Sequence, residues 1–432
     1  MDLVIYLGGA VLFFVLVMAS IGLHEIGHLL PGKLFGVKTT QYFVGFGKTL
    51  WSRRRGETEY GIKAVPLGGY VRFVGMFPPS KERPGQVRAG RTGLFQSMAD
   101  NARAAEYVDI LPEDEGRLFY QKKSWQKLII MAGGPLMNVL LAFLILLGVT
   151  ATYGVNRSTL TIASVPECIV AADATDRSCA GKPASPAARS GIQPGDTVVA
   201  FNGRAVSSWE EMSTAIRANL DQTAAITVLR DGRRVELTPV STVITGVPDR
   251  YDPAKRVAAG FFGVQPVVER QRGGPVAVVQ DMWGMTKQTA VALTAFPVKV
   301  FYTAYNLVTG QPRDVYGPMS ILGASRAAGE IASTDQIGAS AKVASLFTVL
   351  GSVNLFVALF NFVPLLPLDG GHIVGALYEG LKRGLARLFR RPDPGYVDTA
   401  KMLPVAYLVG SVIAISGVVL ILADIIDPIR LF

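Results

Sequence analysis

Ile21-Gly22-Leu23-His24-Glu25-Ile26-Gly27-His28-Leu29-Leu30 reads His-Glu-x-x-His at the inner end of an apolar run that begins at Leu3. On a helix, residues four apart share a face, so His24 and His28 can turn two imidazoles toward one metal ion. Glu25 stands beside them, placed to take a proton from water activated there. The same pattern arises by chance on surface helices, where it does nothing. Here the chain has only three histidines, two of them in the motif. The surrounding segment also suits lipid, where ionisable side chains are costly and mark function. The metal reading is the one carried forward.

Half of the 432 residues are apolar, mean hydropathy is +0.33 and 18% are charged, against roughly 25% in soluble chains. That is the composition of a membrane protein. A net charge of +10 raises the question of nucleic acid. The basic residues, however, collect between apolar segments, at 33–127 and 382–391, as loops on the cytoplasmic side do. No nucleic acid partner is expected.

The expected fold is a polytopic α-helical membrane protein with about four transmembrane helices, a membrane-associated β-hairpin region and an inserted extracytoplasmic α+β domain. Residues 1–30 form the first span. Residues 31–126 hold cytoplasmic or membrane-dipping hairpins and a loop, with a helix at 99–108. The second span is 127–153, the inserted domain 158–243, and a linker with membrane-surface helices 244–342. The third span is 343–371, a basic cytoplasmic loop 372–401, and the fourth span 402–425. No Lys or Arg precedes Lys33, so the charge bias puts the N-terminus outside and the His24 end near the cytoplasm. Both basic loops then fall on one side.

In the hairpin region, Gly45-Phe46-Gly47, Gly56-Glu57-Thr58 and Pro66-Leu67-Gly68-Gly69-Tyr70 mark turns between short strands. The second span carries Gly133-Gly134-Pro135 and Asn138; small residues let helix backbones close in, and a buried Asn can bond to a neighbour. Cys168 and Cys179 share one Pro/Ala-rich loop. A local disulfide outside the cytoplasm is the expected use, with two free buried thiols the alternative.

Residues 185–196, SPAARSGIQPGD, followed by VVAFNGRAV at 198–206, resemble a PDZ domain in its permuted bacterial form. The resemblance implies a groove between a strand and the 208–218 helix where an extended peptide adds as a strand. The cysteine insert departs from that pattern near the peptide-binding loop.

Two histidines leave a catalytic zinc ion short of its usual third protein ligand. The candidates are Glu57, Asp369 and His372. Asp369 follows Asn361 and Pro364, a polar residue and a helix breaker at the end of an apolar run, tolerable there where they line a cavity. A helix that simply ends at two prolines is the plainer alternative.

Taken together, His24-Glu25-x-x-His28, Gly45-Phe46-Gly47, one PDZ-like domain and Asn361-x-x-Pro364-x-x-x-Leu368-Asp369-Gly370 resemble the site-2 protease family. They are most similar to its bacterial branch, the regulator-of-sigma-factor intramembrane zinc proteases. That resemblance implies Zn2+ held by His24, His28 and Asp369, with Glu25 the catalytic base. Asn361 would hold the substrate or its developing oxyanion, and Gly45, Phe46, Gly47 and Pro364 would bind substrate. The implied substrates are single-span membrane proteins such as anti-sigma factors, in the bacterial cytoplasmic membrane. The expectation from another class is a non-catalytic membrane scaffold presenting its PDZ domain to extracytoplasmic peptide tails.

Overall fold

The His-Glu-x-x-His motif lies in α1 (Asp2–Leu34), an almost uniformly apolar helix of 33 residues. The computed structural model describes residues 2–78, 110–169, 178–249 and 255–430, so the helix expected at 99–108 lies outside the described residues. The chain divides into two units, Met1–Val149 with Pro275–Phe432, and Thr150–Gly274.

In the first unit α1 leads into two long, bent strands, β1 (Thr39–Arg55) and β2 (Thr58–Phe73). Residues 41–44 pair with 69–72 on one side and with 59–62 on the other, while 49–55 pair with 58–63. Among the described residues the hairpins therefore stack as four rows, with 49–55 at one edge and 69–72 at the other. Gly45 and Gly47, at φ 95° and 81°, make the bend between row 41–44 and row 49–55, a conformation that favours glycine. Tyr42 donates its hydroxyl hydrogen to Gly22 O at 2.9 Å, tying the sheet to α1 one turn before the motif.

Next comes α2 (Ser124–Thr152), which meets α1 through its glycines. A Cβ on Gly133 would stand 2.0 Å from Gly27 O, and one on Gly134 would stand 2.1 Å from His28 Nε2. Any larger residue would push the two helices apart. Asn138 is buried, but its Oδ1 has no hydrogen-bond partner among the described residues. The interhelix bond expected of it is not made through that atom.

The Thr150–Gly274 unit is built on a sheet. Its strands β3 (Val155–Ser164), β4 (Thr197–Phe201), β5 (Ile226–Arg230), β6 (Arg233–Glu236) and β7 (Gln265–Gln271) run in the order β7-β3-β4-β5-β6. The single helix of more than one or two turns among its described residues, α3 (Trp209–Ala218), is capped by Ser208 and packs Met212 and Ile216 into a core with Ile162, Val198, Val228 and Phe262. Asn202-Gly203 and Asp231-Gly232 take positive φ at the two tight turns, as hairpin turns of this composition do. The unit runs past residue 243 because β7 pairs along β3. Cys168 and Cys179 are joined as a disulfide.

The first unit resumes with α4 (Pro275–Thr309), α5 (Ile321–Ser333), α6 (Ala339–Asn361), α7 (Asp369–Leu388) and α8 (Leu403–Ile426). Residues 275–309, expected as a membrane-surface helix, form one continuous 35-residue helix, and five helices among the described residues are long and apolar enough to cross a membrane. One expectation changes. Residues 372–401 are not a loop throughout, since α7 fills their first half. Val374, Leu377, Tyr378, Leu381, Leu385 and Leu388 form an exposed apolar stripe on α7, at the helical spacing that the Lys and Arg between them obscure. Asp369 accordingly opens α7 and does not end the preceding helix.

Buried ion pairs join elements far apart in the chain. Lys127 Nζ lies 3.0 Å from both carboxylate oxygens of Glu379, which also accepts from Ser124 Oγ and Val397 N. Arg313 bonds Asp424 at 2.7 Å, and Asp424 accepts the Ser320 and Gly323 N–H groups at the start of α5. A carboxylate placed there also favours the helix N-terminus.

Candidate metal centre

His24, Glu25 and His28 are 7%, 9% and 5% exposed, inside a helix whose other residues seek lipid or apolar neighbours. Polar groups so buried need partners. His24 and His28 find one in Asp369: the two Nε2 atoms are 3.3 Å apart, and Asp369 Oδ2 lies 3.4 Å from His24 Nε2 and 3.3 Å from His28 Nε2. These three side chains are the metal-ligand cluster among the described residues.

One hydrogen bond decides how the second imidazole is poised. His28 Nδ1 lies 2.8 Å from Ile130 O. A carbonyl only accepts, so Nδ1 carries the hydrogen and Nε2 turns a lone pair toward Asp369 and His24. Asp369 Oδ2 has no well-aligned hydrogen-bond partner among the described residues. Electron-rich atoms thus converge on one point. A tetrahedral zinc ion with bonds of about 2.0–2.1 Å has its ligands about 3.3 Å apart, the spacing found here. The donor set, two neutral imidazoles and a carboxylate, also suits zinc with one position left open.

The third ligand reaches the histidines through the break after α6. That helix ends at Asn361 with Phe362 as its C-cap, and the chain folds back before Asp369 opens α7. A Cβ on Gly370 would come 2.1 Å from Val363 O, so only glycine fits under that return. Asn354, 1% exposed, donates to Ser20 Oγ at 3.2 Å and to Leu350 O at 2.9 Å, holding α6 against α1.

The cluster opens on a cavity of about 570 Å³ lined by Ile21, Glu25, residues 68–73, Met76, Met131, Val357, Asn361, Pro367 and His372. The backbone at Gly69 runs against Glu25, where a Cβ would stand 2.9 Å from Glu25 Cγ.

The structure therefore gathers His24, Glu25, His28, Asn361 and Asp369 in one place. His372 lines the cavity but is not in the ligand cluster. Glu57 is elsewhere, held by Arg117 at 2.7 and 2.8 Å. Gly45, Phe46 and Gly47 do not line the cavity; the Phe46 ring stacks on Tyr70, 6.1 Å between centroids. Pro364 is exposed outside it, and Pro367 takes the lining position. Sequence reasoning missed residues 69–73 as the cavity edge, Gly134 as the space for His28, and Ile130 as the carbonyl that orients it. The Gly68-Gly69-Tyr70 turn and the Gly133-Gly134 pair were the available signals; a backbone carbonyl leaves none.

Residues 12–389 match Peptidase family M50. The chain is 32% identical to zinc metalloprotease Rip1 of Mycobacterium tuberculosis, with 99% of each chain covered. It is 28% identical to metalloprotease MmpA of Caulobacter vibrioides over 88% of each chain. With zinc metalloprotease RasP of Shouchella clausii the identity is 26%, over 86% of this chain and 90% of the relative. A metal-ligand cluster of this geometry, and similarity that runs the length of the chain, place it together: the chain belongs to peptidase family M50, the site-2 proteases.

Proposed function

We propose that this protein is a zinc-dependent intramembrane endopeptidase that cuts within the membrane-spanning segment of single-span proteins such as anti-sigma factors. One observation carries the reading: three ligand atoms 3.3–3.4 Å apart face a cavity that also holds a buried carboxylate, Glu25, and a strand edge.

His24 Nε2, His28 Nε2 and an Asp369 carboxylate oxygen would hold the zinc, which would supply Lewis-acid activation of the scissile carbonyl and of water. Glu25 takes the proton from the attacking water and hands it to the leaving amine. Asn361, on the cavity wall at the end of α6, is placed to hydrogen-bond the substrate backbone through its amide. An intramembrane helix must be extended to be cut, and its freed N–H and C=O groups need partners where water is scarce. The row at 69–71, an edge among the described residues, supplies them by strand addition. Gly45-Phe46-Gly47 supports that edge through the Phe46–Tyr70 stack rather than offering an edge of its own.

Four crossings, by α1, α2, α6 and α8, bring the site to one membrane face. The end of α1, the start of α2, the end of α6 and the start of α8 then meet on the cytoplasmic side, where positive charge collects. A fifth crossing by α4 would bring α6 in from the wrong face, since α5 has 13 residues and spans only about 20 Å. We read Thr150–Gly274 as a PDZ domain outside the cytoplasm. A cavity of about 700 Å³ lies between β3 and α3, lined by residues 156–160 and by Ser208, Trp209 and Arg217, in keeping with a groove for an extended peptide.

The test is cleavage of a model single-span substrate by the purified protein. The reading expects a cut inside the span, blocked by a chelator and by Glu25→Gln with the metal still bound. Full cleavage by Glu25→Gln would sink it.

A further inference from the structure

At the far edge of the sheet from the metal cavity lies a second hollow, about 750 Å³, lined by Lys33, Trp51, Arg53, Arg54, Arg55, Gly56 and Tyr60. Among the described residues, its lining has four cations and no carboxylate. The nearby acids are engaged elsewhere, Glu57 with Arg117 and Asp114 with Lys38. Glu59 pairs across the sheet from Arg54 but does not line the hollow. Lys33 is held in place, donating to Tyr60 Oη at 2.5 Å and lying 5.1 Å from the centre of that ring.

We propose that this hollow binds the phosphate of an anionic phospholipid headgroup on the membrane surface. Three observations favour a lipid over a soluble anion. Lys33 is in the last turn of α1, where that helix leaves the apolar layer. The residues leading into the arginines are exposed and apolar: Leu50 is 68% and Trp51 58% exposed, and Ile62, paired with Trp51, is 51% exposed. Along 50–55 the sequence thus passes from aliphatic to Trp to Arg-Arg-Arg, the order of hydrocarbon, interface and phosphate in a bilayer leaflet. Arginine forks also match phosphate oxygens in pairs. A docking site for an acidic substrate segment would sit better beside residues 69–72, at the opposite edge. The proposal rests on the reading that α1 crosses the bilayer.

The test uses the full-length protein in vesicles of phosphatidylcholine with or without phosphatidylglycerol, with either lipid brominated to quench tryptophan. Subtracting the signal of Trp51→Phe isolates Trp51. Brominated phosphatidylglycerol should quench Trp51 several-fold more than brominated phosphatidylcholine at equal content. Each arginine replaced by Gln at 53, 54 and 55 should lower that preference roughly fivefold, with metal content unchanged. Equal quenching by both lipids overturns the headgroup site alone. Quenching by neither overturns it together with the membrane placement of α1. Loss of the preference in inorganic phosphate at matched ionic strength assigns the hollow to a free anion and overturns the lipid. A triple variant that keeps its lipid preference but fails to cut substrates with acidic flanks makes the hollow a substrate dock and overturns it too.

Discussion

Buried charge is handled in opposite ways in the two units. In Thr150–Gly274 the buried carboxylate of Asp196 is satisfied close at hand, by Gln193 N–H at 2.8 Å and by Arg230 Nε and Nη2 at 2.8 and 2.7 Å on the adjoining strand pair. In the first unit the carboxylate partners of Lys127 and Arg313 lie 252 and 111 residues away. The smaller unit closes around one hydrophobic core, with its polar links made locally. The membrane unit, whose helices face lipid as readily as each other, depends on small-residue contacts and polar links to fix which helices meet. Its active site is one of those links.

The comparison is broken most sharply at the metal. Glu25→Gln should lower cleavage about a thousandfold or more while leaving bound metal unchanged, read by turnover beside metal analysis. Asp369→Ala should empty the site; unchanged metal content would hand the third position to His372. Gly134 is itself neither ligand nor base, yet the Cβ of Gly134→Ala would meet His28 Nε2 at 2.1 Å. It should weaken metal binding on the order of 10–100-fold, by competition with a chelator, and normal affinity would show that α2 does not orient His28.

Smaller effects test the links themselves. Glu379→Ala strands Lys127 and should destabilise the protein by about 3–5 kcal/mol, whereas Lys127→Met with Glu379→Leu should come much closer to wild type. Unfolding in detergent measures both. In the other unit, burial pushes the Asp196 carboxyl up, but the Arg230 and Gln193 hydrogen bonds and the Arg230 charge outweigh it and hold it below the usual range. A depressed folded-state value contributes stability above the unfolded value near ~3.9, lost as pH falls through the folded one. Residues 150–274 expressed alone should therefore fold cooperatively and weaken only below about pH 4. Asp196→Asn should flatten that acid limb.

What the sequence made legible follows the same division. His24, Glu25 and His28 could be read because four-residue spacing on a helix is local. The strands and turns of 197–236 could be read because Asn-Gly and Asp-Gly name their own conformation. Asp369 needed a family resemblance, since nothing near it points to His28. Glu379 and Lys127 read as a loop acid and a flanking base, because a pair separated by more than half of the chain leaves no periodicity. The α7 helix was hidden by its opening: Asp-Gly-Gly after two prolines spells a turn, and the basic residues beyond it spell a loop. The row lining the cavity was not legible, since a bend at Gly45 shows that the chain turns but not that residues 68–73 end beside the site.

The bond from His28 Nδ1 to Ile130 O crosses 102 residues of chain, and Asp369 comes later still. During synthesis α1 enters the membrane first, bearing two imidazoles that nothing yet aligns. Their orientation waits for α2, and their carboxylate for the last third of the translation. No truncated or half-inserted copy can assemble the site, so hydrolytic capacity inside the lipid appears only once the bundle is closed around it.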